Sequence, residues 1–444
     1  MIEKPPEWKK LLTSELLSNV HQSAEIKEIL SKAQKEYVYW DKFKYYPFPK
    51  GIKPEEAWTL LKFSSRLSSE KTPIKSVNGD NFTYTLTNPL YQKLNYIDTH
   101  GAGLLKSLAG KPSDSQTSKY IISSLTEEAI ASSQIEGANT THKAAKEMIL
   151  SERKPRNKSE QMIVNNYRAM QKMGELKDLD LTEQMLLDLQ TVLVDQTAED
   201  TDIIGRFRKD EDEIVVHDPL TGEIAHVPPK QSVMLSELKR FIAYANKPDD
   251  DTEVFTHPVI KATILHFWFA YLHPFADGNG RSARALFYWY LLKRDYWLVE
   301  YISISRSIKQ SRRAYDNAFL HSEYDDNDLT YFLLYIADAF KKSILQFMEH
   351  FEKKQEEAKE LKQMSILLRH VNVRQLALLK YFLAHPDEYT DVITHQGKHG
   401  VSRLSAYHDL RALAKDGYLV ETRKGRRFMY MPILAKIKAV LNKS

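Results

Sequence analysis

The sequence predicts a mainly α-helical protein of several domains, with β-hairpins in its middle and near its C-terminus. Most apolar residues recur at the three- and four-residue spacing of amphipathic helices, and only short segments alternate as strands do. At 444 residues the chain is too long for one hydrophobic core. We therefore expect separate helical domains, each with its own core.

Composition excludes several classes of protein. The chain contains no cysteine, which rules out disulfides, zinc–thiolate sites and thiol nucleophiles. Residues 1–10 are charged and contain two prolines, unlike a secretory signal, and no run approaches the roughly 20 apolar residues of a membrane span. We expect a cytoplasmic protein with no membrane partner.

Changes in sequence pattern predict the domain boundaries. Residues 1–117 are an N-terminal extension, rich in aromatic residues near Tyr37–Tyr46, that we expect to pack on the next domain. A docking surface is the alternative for this aromatic cluster. A central domain over 118–345 follows, then a charged helical linker over 346–369 and a C-terminal module over 370–444.

The central domain is predicted to begin with a helix over 118–137. Apolar residues recur along it at helical spacing, and Gly137 is a suitable C-terminal cap. Ser132 and Glu136 are four residues apart and therefore share one face of the helix. Taken alone, this segment is typical of an ordinary helix end.

A β-hairpin is predicted over 213–229. Two alternating segments flank the turn Asp218–Gly222, and two prolines end the hairpin. His217 and His226 lie on the two strands. We expect these histidines to be solvent-facing or cross-strand residues rather than ligands of a metal ion.

The most informative segment is His273–Arg284, a polar, glycine-rich turn between two apolar helical runs. Gly278 and Gly280 can adopt positive φ and Asn279 tolerates it, so backbone N–H groups can converge into a nest. The nest opens onto the start of the second helix. Both a nest and a helix N-terminus attract anions, phosphate above all.

The charged residues of this segment indicate a polyphosphate ligand. Arg281 and Arg284 share one face of the first helical turn, where a cation opposes the helix dipole at roughly 0.3–1 kcal/mol. Asp277 is a hard oxygen ligand suited to Mg²⁺ shared with a phosphate chain. His273 is the side chain here that can accept a proton near neutral pH.

The segment resembles the motif of the Fic (filamentation induced by cAMP) family, His-x-Phe-x-(Asp/Glu)-Gly-Asn-Gly-Arg-x-x-Arg, at every fixed position. The matching residues are His273, Phe275, Asp277, Gly278, Asn279, Gly280, Arg281 and Arg284. The resemblance implies a Fic-type helical bundle that transfers AMP from ATP to a protein hydroxyl and releases pyrophosphate.

The same resemblance implies a role for each matching residue. His273 would deprotonate the target hydroxyl, Phe275 would anchor the loop in the core, and Asp277 would hold Mg²⁺. The residues implied to bind the nucleotide phosphates are Gly278, Asn279, Gly280, Arg281 and Arg284.

The predicted helix end is similar to the family's inhibitory motif, (Ser/Thr)-x-x-x-Glu-(Gly/Asn), at Ser132 and Glu136. The resemblance implies that Glu136 pairs with Arg284 and withholds it from the γ-phosphate. It also implies that the hairpin 213–229 is a flap that pairs with the target segment, after a Gly-x-x-Arg turn at Gly205–Arg208. Some family members with this arrangement also remove AMP, and the sequence leaves that alternative open.

The C-terminal module, 370–444, resembles a winged helix-turn-helix domain. Helices are predicted over Arg374–Leu383 and over Val401–Asp416, with Ser402 as N-cap, and a hairpin follows around Arg423–Arg426. The module carries 13 lysines and arginines against 6 acidic residues, as DNA-binding domains do. Its candidate partners are DNA, another protein, or a second copy of the chain in a homodimer.

Two functions remain. The first is a protein adenylyltransferase with ATP as substrate, Mg²⁺ as cofactor, and a Ser, Thr or Tyr hydroxyl of a target protein or of itself as acceptor. The second is a DNA-binding regulator whose central domain only senses nucleotide. The intact His273 and Asp277 favour the enzyme, because sensing a nucleotide requires neither a base nor a metal ligand.

Overall fold

The computed structural model describes residues 2–20, 24–100, 114–218, 221–248, 255–367, 371–424 and 427–441. The protein is mainly helical, as predicted. The chain divides into two units, Met1–Phe347 and Met348–Ser444. Across the described ranges, no helix is both long enough and apolar enough to cross a membrane.

The first unit consists of helices with short antiparallel hairpins between them. Its helices are α1 (Trp8–Leu11), α2 (Ser14–Val20), α3 (Ala24–Glu36), α4 (Trp40–Phe43), α5 (Pro54–Leu67), α6 (Asn88–Asp98), α7 (Asp114–Ile135), α8 (His142–Leu150), α9 (Lys158–Glu175), α10 (Glu183–Val194), α11 (Gln231–Asn246), α12 (Pro258–Leu272), α13 (Asn279–Lys293), α14 (Ile304–Gln310) and α15 (Arg312–Tyr324). Its strands are β1 (Ser69–Lys75) paired with β2 (Asn81–Thr85), and β3 (Val216–His217) paired with β4 (Ile224–His226). Short 3₁₀ turns occupy Thr201–Ile203, Asp210–Asp212 and Trp297–Glu300.

Helices α12 and α13 form the centre of this unit, and the loop between them carries the Fic-like motif. Both helices are buried along nearly their whole length, in keeping with their apolar sequences. Pro258 occupies the first turn of α12, where proline costs no hydrogen bond, and the His257 side chain caps the helix by accepting from the Val259 N–H. The motif loop is therefore held between two packed helices.

The N-terminal extension contacts the same unit through a buried charge cluster. Lys62 of α5 lies 2.6 Å from a carboxylate oxygen of Asp325 and of Asp328. Tyr37 donates a hydrogen bond to Asp328, and Tyr331 donates one to Asp325. Because each buried charge has a partner, the cluster orders this junction, and removing the lysine would leave both carboxylates uncompensated at a cost of about 3–5 kcal/mol.

Two predicted elements differ in length from the structure. The helix expected over 118–137 already begins at Asp114 and ends at Ile135, so Glu136 lies just beyond its last turn. The strands of the predicted hairpin 213–229 are only two and three residues long, because the register shifts between the Val216 and His217 pairs. Positions 219–220 of its turn lie outside the described residues.

The second unit contains helices α17 (Val373–Ala384), α18 (Val392–His399), α19 (Arg403–Lys415) and α20 (Leu434–Leu441), with strands β5 (Leu419–Lys424) and β6 (Arg427–Pro432); helix α16 (Thr330–Leu367) contains the boundary with the first unit. Gly400 ends α18 at φ +62°. Ser402 caps α19 by accepting from the Ser405 N–H, as predicted. Helix α18, which is only eight residues long, was not predicted. Residues 425–426 of the predicted wing tip lie outside the described residues.

Candidate active site

A cleft with an open volume of about 860 Å³ lies at the C-terminal end of α12. Its lining brings together four of the sequence-predicted residues, namely Glu136, His273, Gly280 and Arg284. In the described part of the chain, the other predicted residues are not among the lining residues: Ser132, Asp277, Gly278, Asn279 and Arg281. The hairpin β3–β4 and helix α15 form the remaining walls.

His273 ends α12 and has a backbone and ring geometry suited to a base. It adopts φ +49° and ψ +56°, a left-handed conformation that is uncommon for a residue with a side chain. Its Nδ1 lies 3.3 Å from the carbonyl oxygen of Ala270, which assigns the proton to Nδ1 and leaves the Nε2 lone pair available. Burial, and then the charge of His226, lower the pKa of His273 to about 4, so the ring is neutral at physiological pH.

The motif loop is held by the packing of Phe275 and by hydrogen bonds of the Asn279 side chain. Phe275 is fully buried and stacks on Phe207, with 5.5 Å between ring centroids. The Asn279 side chain accepts from the Phe275 N–H at 2.9 Å and donates to the Phe275 carbonyl oxygen at 2.8 Å. Asn279 is a helical residue that closes the loop, and not the positive-φ member of a nest that the sequence predicted.

The two motif glycines serve different purposes. Gly278 precedes α13 at φ +96°, a conformation that favours glycine, as expected. Gly280 lies inside α13 and does not have positive φ, so the expectation for that residue was wrong. A Cβ at this position would overlap the carboxylate of Glu136. Glycine leaves room here for another side chain to approach the helix backbone closely.

Arg281 does not reach the cleft. Its buried guanidinium donates to the carbonyl oxygen of Leu193 at 2.7 Å and to Oδ1 of Asp277 at 3.0 Å. Leu193 lies in the last turn of α10, whose carbonyls form the negative end of that helix dipole. The contact with the Leu193 carbonyl offsets the cost of a cation at the start of α13. The resemblance implied that Arg281 binds phosphate, whereas in this structure its guanidinium contacts the protein.

Arg284 forms the ion pair that the resemblance implied. Its Nη2 donates to Oε1 of Glu136 at 2.9 Å and to the Ser132 carbonyl oxygen at 3.0 Å, and its Nε donates to the Ser132 hydroxyl at 2.8 Å. The Arg284 side chain is almost fully buried, whereas 33% of the Glu136 side chain is exposed. Loss of solvent raises the pKa of the Glu136 carboxyl, but the charges of Arg284 and Arg312 lower it more, and the net pKa lies below its usual value.

Helix α7, which carries Ser132, is attached to the core at two further points. Arg312 donates to the carbonyl oxygen of Ile135 at the helix end, while its Nε lies 2.9 Å from both carboxylate oxygens of Asp316. In the middle of the helix, buried Glu128 accepts from the Tyr288 hydroxyl at 2.7 Å and from the Ser305 N–H at 3.0 Å. The position of Glu136 is thus set by the packing of a whole helix.

The sequence analysis named two residues around His273 without identifying their contacts. Buried Arg208 donates to the carbonyl oxygens of His273 and Leu272 at 2.7 and 3.3 Å, and so satisfies the end of α12. His217 is exposed, as expected. His226 pairs across the hairpin with Val216 but does not face solvent: its ring is 11% exposed and contacts Glu323. The alternation of the strand could have indicated an inward-facing His226, whereas no local pattern identifies its partner.

Asp277 is a suitable but incomplete ligand for Mg²⁺. Its side chain lies in the motif loop and is 45% exposed. Magnesium commonly binds one or two carboxylates together with substrate phosphates. The described residues contain no group of three or more acidic or histidine side chains that could hold a metal ion. Any magnesium at Asp277 would therefore depend on phosphate oxygens from a bound nucleotide.

Replacing Gly280 with alanine tests the close approach of Glu136. The added Cβ must push the carboxylate away from Arg284, so we expect a lower thermal unfolding midpoint than in wild type. In a Glu136→Gly background the obstacle is gone, and the same substitution should cost clearly less. Equal costs in the two backgrounds, measured by thermal denaturation of all four proteins, would contradict the contact.

Known proteins resemble part of this chain in sequence. Residues 180–291 match the family model described as the Fic/DOC family. The "Protein adenylyltransferase Fic" proteins of Drosophila melanogaster and Drosophila sechellia are each 31% identical to this chain over 119 residues. That segment is 27% of this chain and 22% of each fly protein, so the chain spans about a fifth of the length of these curated relatives.

A solved structure extends the likeness of the fold. A Fic family protein from Desulfovibrio desulfuricans G20 superposes with a TM-score of 0.51 at 17% identity, over 79% of this chain and 98% of the other. At that identity the likeness concerns the fold alone. Residues 180–291 therefore resemble the Fic/DOC family in sequence, and the chain resembles a Fic family protein in fold.

Proposed function

We propose that this protein is an adenylyltransferase that transfers AMP from ATP to a hydroxyl group of a target protein or of itself, with release of pyrophosphate. The observation that carries the proposal is that a neutral histidine and a buried arginine line one cleft beside the first turn of α13. His273 is the candidate base and Arg284 the candidate phosphate ligand. Both residues belong to the complete Fic motif.

Each group in or near the cleft has a separate role in the proposed reaction. Nε2 of His273 takes the proton of the target hydroxyl, and the hydroxyl oxygen then attacks the α-phosphorus as pyrophosphate leaves. The N-terminal turn of α13, which starts after Gly278, offers unpaired N–H groups to the phosphates, and Arg284 would bind the γ-phosphate. Mg²⁺ bound at Asp277 would neutralise charge that develops on the phosphate oxygens.

We infer that Glu136 inhibits this reaction by competing with the γ-phosphate for Arg284. A carboxylate 2.9 Å from Nη2 occupies the donor that the phosphate would use. The partial exposure of Glu136 supports displacement of this side chain rather than of the buried arginine. Hydrogen bonds to charged groups contribute roughly 1.5–3 kcal/mol, which corresponds to inhibition of about 10- to 100-fold.

The same glutamate is also compatible with a bifunctional enzyme. Its carboxylate faces the cleft and could orient a water molecule toward an AMP-modified hydroxyl. Removal of AMP therefore belongs among the reactions to test, alongside transfer.

The hairpin β3–β4 is proposed to be the flap that holds the target segment. Its strands pair only with each other among the described residues, so an edge remains for an extended peptide. Val216 and His217 line the cleft from this hairpin. A target strand added there would lie beside His273.

The C-terminal unit supports a second candidate function, a nucleotide-sensing DNA-binding regulator. Helix α19 buries Leu410 and Leu413 but exposes Arg403 and Arg411, the pattern of a recognition helix with a basic outer face. In the adenylyltransferase this unit would select the location or the partner of the enzyme. In a regulator it would bind DNA with an affinity that depends on ATP.

The proposal is tested with ATP labelled at either the α- or the γ-phosphate, in the presence of Mg²⁺ and the purified protein. Transfer of AMP places the α-label, but not the γ-label, on protein and releases pyrophosphate. Transfer of the γ-label would indicate a kinase instead. If ATP binds, no label is transferred and DNA affinity changes with ATP, the regulator becomes the better description.

A further inference from the structure

Both ring nitrogens of His226 face hydrogen-bond acceptors. Nδ1 lies 2.9 Å from Oε2 of Glu323, and Nε2 lies 2.8 Å from the carbonyl oxygen of Tyr271. A neutral imidazole has one N–H and would leave one of these acceptors facing a lone pair. With Glu323 ionised, only the protonated ring donates to both acceptors, so the geometry favours an imidazolium.

His226 connects three elements of the structure. The residue lies on strand β4 of the proposed flap, Tyr271 is in the last turn of α12, and Glu323 is in the last turn of α15. A helix C-terminus favours a cation. The candidate base, His273, is only two residues beyond Tyr271. The His226 ring therefore connects the hairpin to the end of the helix that carries the candidate base.

The charged groups around the ring favour its protonated form. Burial lowers the pKa of His226, but Glu323 raises it more through its charge and hydrogen bond, and the net pKa lies above the usual value. Arg208 acts in the opposite direction. In turn, the charge of His226 adds to burial in lowering the pKa of His273.

We propose that His226 is a positioning residue: as an imidazolium held by Glu323, it locks the flap hairpin to the end of α12 and keeps His273 uncharged. The catalytic consequence rests on the proposed function. The lock itself is a property of the folded chain without nucleotide, so it can be tested separately.

Nuclear magnetic resonance of the full chain with ¹⁵N-labelled histidine tests the charge state. Signals are assigned with the variants His226→Gln and His273→Ala. In wild type we expect both His226 nitrogens to be protonated at pH 7. Glu323→Gln should lower the pKa of His226, and His226→Gln should raise that of His273 from about 4. A neutral His226 at pH 7, or an unchanged pKa of His273 in His226→Gln, would overturn the proposal.

Hydrogen–deuterium exchange of residues 213–229 tests the lock, with His217→Gln as the matched control on the facing strand. His226→Gln and Glu323→Gln should increase amide exchange roughly tenfold or more, the change expected when a charge-assisted hydrogen bond is lost. His217→Gln should leave it near wild type, because that exposed ring contacts only the turn carbonyl of Gly222 in the described hairpin. Equal exchange in all four proteins would contradict a lock.

The pH dependence follows from the raised pKa of His226. Its contribution to flap protection is complete below the ordinary histidine pKa of about 6.5, and it is lost as the pH rises through the higher pKa of the folded state. In a Glu136→Gly background, His226→Gln should lower kcat for self-labelling while the KM for ATP stays near its value in the parent. A rise in the KM for ATP with unchanged kcat would contradict a positioning role, whereas absence of labelling in the parent would count only against the proposed function.

Discussion

Replacing Glu136 with glycine is expected to increase AMP transfer about 10- to 100-fold. The substitution removes the carboxylate that lies 2.9 Å from Nη2 of Arg284 and so frees this donor for the γ-phosphate. Ser132 still holds the guanidinium through its Nε, so the arginine keeps its orientation. The initial rate of α-³²P incorporation at saturating ATP measures the effect.

Two control variants separate charge from general loosening of the helix end. Glu136→Gln keeps the size of the side chain but removes its charge, so it should give an intermediate rate. Glu152→Gly changes an exposed glutamate with φ +53° at a turn after α8, and its rate should match wild type. A rate in Glu136→Gly no higher than in wild type, at equal ATP occupancy, would rule out Glu136 as an inhibitor.

Replacing His273 with alanine in the Glu136→Gly background is expected to reduce AMP transfer about 10²- to 10⁴-fold, the usual contribution of a general base. ATP binding should persist, because Gly280 and Arg284 are unchanged. His385→Ala is the matched control, since it removes an exposed histidine that is not among the residues lining the cleft. Undiminished labelling in His273→Ala would exclude His273 as the base.

The pH dependence of the active variant provides a second test of the base. The half-buried His273 has a pKa of about 4, so the ring should be deprotonated and competent at all higher pH values. The acidic limb of kcat/KM should accordingly lie near pH 4, with activity rising as the pH increases through it. A limb near 6.5 would indicate that His273 is exposed to solvent when it reacts.

The motif His273–Arg284 could be recognised from sequence because its residues are contiguous and one of its glycines meets a requirement of the local backbone. Gly278 is the clearest example, since positive φ at the start of α13 is a property of the chain immediately around it. The N-cap Ser402 was predicted on the same basis, from a side chain that bonds three residues ahead. The mainly helical fold follows from apolar spacing repeated within single segments.

The errors share a different cause. Gly280 leaves room for Glu136, 144 positions earlier, and the Arg281 guanidinium is hydrogen-bonded to a carbonyl oxygen 88 positions away. His226 is turned inward by Glu323, 97 positions later. No local periodicity encodes such contacts, because they depend on how separate helices pack.

The sequence by itself determined the helical class of this protein and the chemical groups of its motif, since both depend on residues that are neighbours in the chain. Only the tertiary structure decided how those groups are used: Arg284 is held by Glu136 and Ser132, Arg281 by the end of α10, and His273 is half-buried within reach of the charge of a second histidine. The physical reason is that charge, burial and hydrogen bonding at each side chain are set by whichever distant segment packs against it.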